Sequence, residues 1–245
     1  MLTHILLFVF LGSIIVVAGT WLARCADQIG DQTPLGRTLA GMILLAVATS
    51  LPELSVDCAA ASLGAVDLAV GDLFGSSLMN LLILGLLDLS TFSRGRMLSR
   101  IASAHALSAM MCLVLTTTAA LFIKLQSPLM IGPVGIGPIV IAVIYLAGLR
   151  LVYFDQHIVA TEAAMAMESP STPAMRLRTA IVGYLVAATC ILLTGPFLAS
   201  TADAIADESG LGGTFVGTTL VAFTTSLPEI VTTLASVRLG NLDMA

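Results

Sequence analysis

The sequence contains very little charge. Asp, Glu, Lys and Arg together make up 10% of its 245 residues, whereas 58% are hydrophobic and the formal net charge is −5. A soluble domain carries roughly 25% charged residues, so this chain has too few to cover a surface that faces water. It also lacks a basic cluster that could bind nucleic acid. These shortages indicate an integral membrane protein, with the lipid bilayer as its main partner.

Cysteine is scarce, and no two cysteines form a Cys-x-x-Cys pair. The chain has four of them, at Cys25, Cys58, Cys112 and Cys190. This scattered pattern predicts neither a disulfide framework nor a zinc site. We therefore expect no bound cofactor.

Long apolar runs occupy most of the sequence. A helix needs about 20 mostly apolar residues to cross a bilayer. Seven such runs are present, at 4–23, 36–63, 67–89, 101–123, 129–153, 179–200 and 212–237. The longest polar stretch, 154–178, contains ESPSTPAM and predicts a flexible loop. The expected fold class is therefore an all-α, multi-pass integral membrane protein.

Basic residues are distributed unequally between the two sides of the predicted membrane. Nine arginines lie in the connections that follow runs one, three, five and seven, whereas the opposite side has Lys124 alone. Basic residues concentrate in cytoplasmic loops. The pattern predicts cytoplasmic loops 1–2, 3–4 and 5–6 and an N-terminus outside, in a bacterial-type inner or plasma membrane.

Two segments of the chain repeat one another. GMILLAVATSLPELSVDCAAASLGAVDLA (41–69) and GTTLVAFTTSLPEIVTTLASVRLGNLDMA (217–245) share T-S-L-P-E, with Glu53 and Glu229 separated by 176 positions. The same offset pairs Gly19 with Gly195. One copy contains five predicted spans, an odd number, so the second copy must enter the membrane from the opposite side. Inverted repeats of this kind are typical of secondary transporters.

The repeat also predicts a division of the chain. Residues 1–153 form the first inverted repeat, with its motif at 41–89. Residues 154–178 form a cytoplasmic loop, and 179–245 form an incomplete second repeat with its motif at 217–245. A full second copy would continue to near position 329, so about seven of an expected ten spans are present.

Each motif places a proline and a glutamate inside an apolar run. Proline has no N–H and its ring clashes with the preceding turn, so a helix break is predicted at Pro52 and at Pro228. The carbonyls that this frees are tolerated at membrane depth only where they line a cavity or are buried in protein. A charged side chain at mid-helix costs roughly 2.5–3.5 kcal/mol or more. The alternative, that the prolines merely kink two helices, does not explain a glutamate at both positions.

The polar groups in these motifs are all oxygens. Oxygen ligands without sulfur or imidazole favour hard cations such as Na⁺ and Ca²⁺. The predicted ligands from the two motifs are Thr49, Ser50, Glu53, Thr225, Ser226 and Glu229.

The third run offers further oxygen ligands. Ser76 and Asn80 are four positions apart, so they share one helix face and could complete the cation site. Asp57 and Asp72 each lie one turn from a predicted ligand, and we treat them as candidates for an ion or proton path. Thr233 occupies the position equivalent to Asp57 in the second repeat, so Asp57 is not part of the symmetric core.

With these residues identified, the chain resembles the sodium/calcium exchanger family of cation antiporters. The resemblance is carried by G-x(7)-T-S-L-P-E, which occurs twice, and by Gly75-Ser76-Ser77, where the family usually has Gly-Ser-Asn. It implies ten helices in two inverted halves around a central cation site. It also adds the backbone carbonyls of Ala46 and Ala222 to the ligands above. The implied function is exchange of Na⁺ for Ca²⁺ by alternating access, which is transport and not enzymatic catalysis.

Three alternatives accompany this expectation. One is a proton-coupled cation exchanger of the same fold, and another is a truncated fragment that transports nothing. The third is an intramembrane aspartyl protease, because two membrane aspartates can act as acid and base. AVGD at 69–72 resembles half of a Gly-x-Gly-Asp motif but has Ala69 in place of the first glycine, which disfavours the protease.

Overall fold

Helices account for nearly all of the part of the chain that the structure describes. The computed structural model describes residues 1–32, 42–91, 106–126, 128–163 and 175–238. The long helices are α1 (Leu2–Gln32), α2 (Met42–Ser62), α3 (Val66–Thr91), α4 (Ala106–Leu125), α5 (Ile136–Ala163) and α6 (Leu177–Ser209). They are followed by α7 (Gly213–Val216), a π-helical turn (Gly217–Val221), α8 (Ala222–Thr225) and α9 (Leu227–Arg238). The predicted all-α class is confirmed.

Several helices are long and apolar enough to cross a bilayer. Within the described residues these are Leu2–Gly30, Leu44–Ser62, Val66–Ile83 and Leu177–Ser209, with shorter apolar helices at Ala109–Leu125 and Ile136–Leu151. Large apolar side chains such as Leu6, Phe10 and Val17 on α1 are exposed, as lipid-facing residues would be. The seventh predicted run, 212–237, is divided among four short helical pieces. These findings support a multi-pass membrane protein, whereas the division into five-helix repeats stays a prediction.

The fifth predicted run differs from the observed helix at both ends. Its first residues form a two-stranded antiparallel ribbon, β1 (Met130–Ile131) with β2 (Val134–Gly135), and Gly132 in the turn has φ +63°. Glycine adopts this left-handed conformation without steric cost, so α5 begins only at Ile136. It continues to Ala163, ten residues into the expected loop. Residues 164–174, the rest of that loop before Met175, lie outside the described residues.

The chain divides into two compact units. One comprises Met1–Ser90 with Ser171–Ala245, and the other Thr91–Pro170. In the second unit, α4 packs against α5, and Gly137 lies against the ring of Phe122.

In the first unit, α1 and α6 pack along one another and both contact α2. Small side chains are frequent at this interface, beside larger ones such as Ile15 and Leu198. Small residues let membrane helices approach closely, where hydrophobic burial alone gives little driving force. Its buried alanines include Ala18, Ala26, Ala48, Ala187, Ala199 and Ala202.

Two equivalent glycines hold the repeats against each other. A Cβ on Gly19 of α1 would lie 2.7 Å from Pro228 Cγ and 3.8 Å from Pro52 Cγ. A Cβ on Gly195 of α6 would lie 2.8 Å from Ser55 Cβ in α2. Gly19 and Gly195 are the pair related by the 176-residue offset. The first helix of each repeat therefore packs, through a glycine, against the motif helix of the other.

Candidate cation site

The first motif does not break its helix. α2 runs without interruption from Met42 to Ser62 with Pro52 inside it, so the prediction of a break at Pro52 is wrong. Proline removes one backbone hydrogen bond, here the one that the Ala48 carbonyl would accept. Neighbouring helices can compensate for such a loss in a membrane protein, and both Pro52 and Ala48 are fully buried. Pro52 therefore frees a carbonyl without ending the helix.

The second motif does break its helix. A π-helical turn, Gly217–Val221, precedes α8, and α8 ends at Thr225. Ser226 then leaves the helical conformation, with φ −86° and ψ 3°, before α9 begins at Leu227. Pro228 has no N–H to offer the carbonyl of Thr224. Single π-helical turns inside helices occur frequently at functional sites.

A fully buried carboxyl group joins the two repeats. Asp72 Oδ1 accepts a hydrogen bond from Thr225 Oγ1 at 3.2 Å and one from Ser76 Oγ at 3.4 Å. The two hydroxyl oxygens are 3.5 Å apart. Asp72 and Thr225 have no exposed surface, and Ser76 is 8% exposed. Two predicted ligands, one from each repeat, therefore meet on Asp72.

Glycines bring α3 close to the second motif. A Cβ on Gly75 would lie 2.5 Å from the Thr218 carbonyl oxygen and 2.6 Å from Ala222 Cβ. One on Gly71 would lie 2.7 Å from the Thr214 carbonyl oxygen. Glycines four residues apart form the small-residue surface through which membrane helices pack tightly. Without this approach, Ser76 would not reach the second motif.

Four carboxyl groups are near one another in this region. Asp72 lies close enough to Glu53, Asp57 and Glu229 for their charges to interact, and Glu53 interacts in the same way with Glu229. The carboxyl groups of Asp57 and Asp72 also interact, although neither oxygen of Asp57 has a hydrogen-bond partner. A cation placed among these groups would be attracted by each carboxylate that is ionised.

Several oxygens of the site are buried without a hydrogen-bond donor. They are Glu53 Oε2, both carboxyl oxygens of Asp57, Asp72 Oδ2 and Ser226 Oγ. A buried polar group without a partner costs about 1–3 kcal/mol, and more when it is charged. Such oxygens are therefore ready to bind a cation or a proton. Within the described ranges, no three His, Cys, Asp or Glu side chains are grouped tightly enough to hold a metal by themselves, so hydroxyl and carbonyl oxygens must contribute.

The other predicted ligands differ from one another in burial. Thr49 is half-buried and donates to the carbonyl of Ala46, at 3.3 Å, while Ala46 itself is exposed. Ser50 and Asn80 are exposed. Ala222 is fully buried, and its carbonyl accepts the Ser226 N–H at 3.0 Å.

The structure therefore gathers one part of the predicted set and leaves another part at the surface. It brings together Glu53, Ser76, Thr225 and Glu229 around Asp72. Asp72, which the sequence predicts only as a candidate for an ion or proton path, receives the hydrogen bonds of Ser76 and Thr225. Its position four residues before Ser76, on the same helix face, is the sequence signal for this central place.

Comparisons with known proteins identify the family of this chain. The model of the family described as sodium/calcium exchanger protein matches residues 3–154 and 179–245. The chain is also 24% identical over 258 aligned positions to the "Putative antiporter CaxA" of Alkalimonas amylolytica, covering 98% of this chain and 73% of that relative. The family match spans most of the chain and includes both T-S-L-P-E motifs. This chain belongs to the sodium/calcium exchanger family and is a membrane transport protein, not the intramembrane protease considered above.

Proposed function

We propose that this chain is a secondary cation antiporter that exchanges Na⁺ for Ca²⁺ by alternating access. One observation carries the proposal: hydroxyl groups from the two T-S-L-P-E-containing segments of the sequence repeat meet on a buried carboxyl group, Ser76 and Thr225 on Asp72. Inverted repeats of transporters place their ion sites at such an interface near the middle of the membrane. Oxygen ligands of this kind suit Na⁺ and Ca²⁺.

The proposed site combines carboxylates with neutral oxygens. Glu53 and Glu229 contribute two negative charges that one Ca²⁺ or two Na⁺ would balance, so the same site can alternate between the ions. Calcium takes six to eight oxygen ligands, more than these two side chains provide. The remaining ligands would be Ala46, Thr49, Ser50, Ser76, Asn80, Ala222, Thr225 and Ser226. Among these, Ser50 and Asn80 are exposed, so they would enter the site only after turning inward.

Alternating access requires that part of the protein moves against the site. We assign this movement to α1 and α6, which pack against each other and against the motif helices. Gly12 and Gly19 of α1 face Thr224 and Pro228, and a Cβ at either glycine would come within 2.8 Å of them. Because these two positions of α1 carry no side chain, the ridges at this part of the contact are lower, which would help α1 to slide along the motif. That movement would open the site to each side in turn.

Transport assays on matched variants test the proposal. Purified protein is reconstituted in liposomes, and Ca²⁺ uptake is measured when Na⁺ is trapped inside. Glu53→Gln and Glu229→Gln should each reduce the flux to the level of empty liposomes, because a neutral amide cannot balance the ion. Glu208→Gln makes the same change at an exposed residue and should preserve it. Flux that persists in both site variants would refute the proposal.

Proton coupling is the competing function, and one observation favours it. Asp57 and Asp72 are both buried and interact electrostatically, and two neighbouring carboxyl groups can share a proton. The liposome assay separates the two functions. A pH gradient that drives Ca²⁺ uptake without Na⁺ would establish proton coupling, whereas uptake that requires Na⁺ would establish sodium coupling.

The orientation in the membrane is part of the proposal. We place the N-terminus and the connection after α6 outside, and the connection before α6 in the cytoplasm of a bacterial-type cell. The distribution of arginines supports this orientation, because basic residues concentrate in cytoplasmic loops.

A further inference from the structure

We propose that a groove between α1 and α6 binds one anionic phospholipid, with an acyl chain in the groove and the phosphate beside Arg24 and Arg176. The site uses none of the residues of the cation site, and it does not depend on transport. Its occupant is a membrane lipid because both helices are long and apolar enough to span the bilayer.

The groove has an apolar lining and a volume of about 400 Å³. It follows residues 13–21 of α1 and 186–190 of α6, and the α1 part spans roughly 12 Å along the helix axis. Two of its lining residues, Ala18 and Ala187, are small and buried. Larger apolar side chains that line it are exposed, namely Val17, Trp21 and Val186. An acyl chain that lies over the two alanines would fill the space between these larger side chains.

An exposed arginine continues the groove on α1. Val17, Trp21 and Arg24 follow one another at spacings of four and three residues, so they share one face of the helix. Arg24 comes directly after the apolar run 4–23, at the level where lipid head groups begin. Tryptophan concentrates at the same level of a membrane. The phosphate of a lipid whose chain occupies the groove would therefore meet Arg24.

Contacts between the two helices place Arg176 at the same end of the groove. A Cβ on Gly183 would lie 3.0 Å from Trp21 Nε1, so Gly183 and Trp21 are at one level. Further along, the Met175 N–H donates to Gln28 Oε1 at 3.0 Å. Between these two contacts, α1 carries Arg24 and α6 carries Arg176. Both arginines are exposed, so both can reach a head group.

The charge at this end favours an anionic head group over a zwitterionic one. From Trp21 to Gln28, and from Met175 through the first turn of α6, the charged residues are Arg24, Asp27, Arg176 and Arg178. Asp27 already interacts with another group of the protein. Basic sites between membrane helices bind anionic head groups, and guanidinium groups pair with phosphate through charge-assisted hydrogen bonds. A zwitterionic lipid would bring an ammonium group against the same arginines.

Fluorescence of the chain's own tryptophan tests the inference. Trp21 is the single tryptophan of the chain, and it is 43% exposed beside the groove. The purified chain is reconstituted in phosphatidylcholine bilayers that contain an increasing mole fraction of phosphatidylglycerol with brominated acyl chains. Bromine quenches indole fluorescence on contact. The same titration with brominated phosphatidylcholine measures lipid that contacts Trp21 without selection by charge.

Four variants separate the head-group contact from the groove. Arg24→Gln, Arg176→Gln and the double variant remove positive charge from the end of the groove. Lys124→Gln combined with Arg150→Gln removes the same charge from exposed positions on α4 and α5, and it is the matched control for the double variant. Cys190→Phe fills the groove from a half-buried position and keeps both arginines. Circular dichroism verifies that each variant folds, and the exposed arginine variants decide the result if Cys190→Phe does not.

We expect brominated phosphatidylglycerol to reach half of its maximal quenching at a mole fraction at least about tenfold lower than brominated phosphatidylcholine. A basic residue near a membrane surface attracts anionic lipid about fivefold. Each single arginine variant should therefore lose about fivefold of the preference, and the double variant nearly all of it. The control should keep the preference, whereas Cys190→Phe should reduce it although both arginines remain.

Three outcomes would overturn the lipid site. Equal quenching by the two lipids in the unmodified protein would show that Trp21 contacts only the general lipid of the bilayer. A preference that survives in the arginine double variant would show that these arginines do not hold the head group. A preference unchanged in Cys190→Phe would show that head groups gather near the arginines without use of the groove. All of these measurements are made without an ion gradient, so failure of the lipid site and failure of the proposed antiporter are separate results.

Discussion

Replacing Gly75 by alanine should separate α3 from the second motif. The new Cβ would lie 2.5 Å from the Thr218 carbonyl oxygen, 2.6 Å from Ala222 Cβ and 2.7 Å from Thr218 Cα. Two of these neighbours are backbone atoms and cannot rotate away. An ordinary contact needs about 3.4 Å or more between such atoms, so α3 must move by roughly 1 Å. Forcing extra methyl groups into a tight contact typically costs about 1–3 kcal/mol.

The displacement should affect binding more than folding. Ser76 follows Gly75 directly, and its oxygen is already 3.5 Å from Thr225 Oγ1, at the limit of a hydrogen bond. A further shift of about 1 Å would break the contact between the repeats. We expect Gly75→Ala to lower the midpoint of thermal unfolding by several degrees and to weaken cation binding at the same time.

Gly85→Ala supplies the matched control. Gly85 lies on the same helix and has no atom within 4 Å of the position that a Cβ would occupy. Alanine there should be neutral or should stabilise the helix by up to about 1 kcal/mol, because glycine is the poorer helix former. Both variants are compared by circular dichroism during heating and by Ca²⁺ titration. Equal stability and equal affinity in the two variants would show that the close approach of α3 is not what holds the site together.

Two further predictions concern the prolines and the orientation. Pro52→Ala restores an N–H donor to the Ala48 carbonyl inside an already continuous helix, so it should raise stability, by up to about 3 kcal/mol. It should reduce Na⁺-driven Ca²⁺ flux less than Pro228→Ala, which changes the proline next to the interruption at Ser226. Equal losses of flux would contradict this. The orientation is tested in a variant without the native cysteines, and both positions chosen for labelling, Leu211 and Arg176, are exposed. Leu211→Cys should react with a membrane-impermeant maleimide added outside intact cells, whereas Arg176→Cys should react only after the cells are opened. The reverse pattern would invert the proposed orientation.

The sequence predicts which motifs form the site better than it predicts the backbone conformation of each motif. The motif T-S-L-P-E is identical at 49–53 and 225–229, and it predicted a helix break at both places. The structure has a break at Ser226 and a continuous helix at Pro52. Because the five residues are the same, the difference must come from the surrounding packing, which the local sequence does not contain.

Burial along α3 was also only partly predictable. The spacing of Ser76 and Asn80 predicts that they share one helix face, yet Ser76 is buried and Asn80 is exposed. Gly75 touches the second motif, whereas Gly85 has no neighbour within 4 Å. Periodicity gives the direction in which a side chain points. Whether a side chain on that face is buried depends on how far the neighbouring helix extends along it. That extent is a tertiary property, and it leaves Ser76 buried and Asn80 exposed.

The exchange of glycines between the repeats has a consequence for how such a protein could arise. Gly19 packs against Pro228, and Gly195 packs against Ser55, so the first helix of each predicted repeat covers part of the motif helix of the other. If each predicted repeat was once a separate chain, one copy alone would leave that part of its motif helix facing lipid. Such an ancestor would be expected to pair with a second copy in the opposite orientation, and fusion of the two genes would have made the pairing permanent.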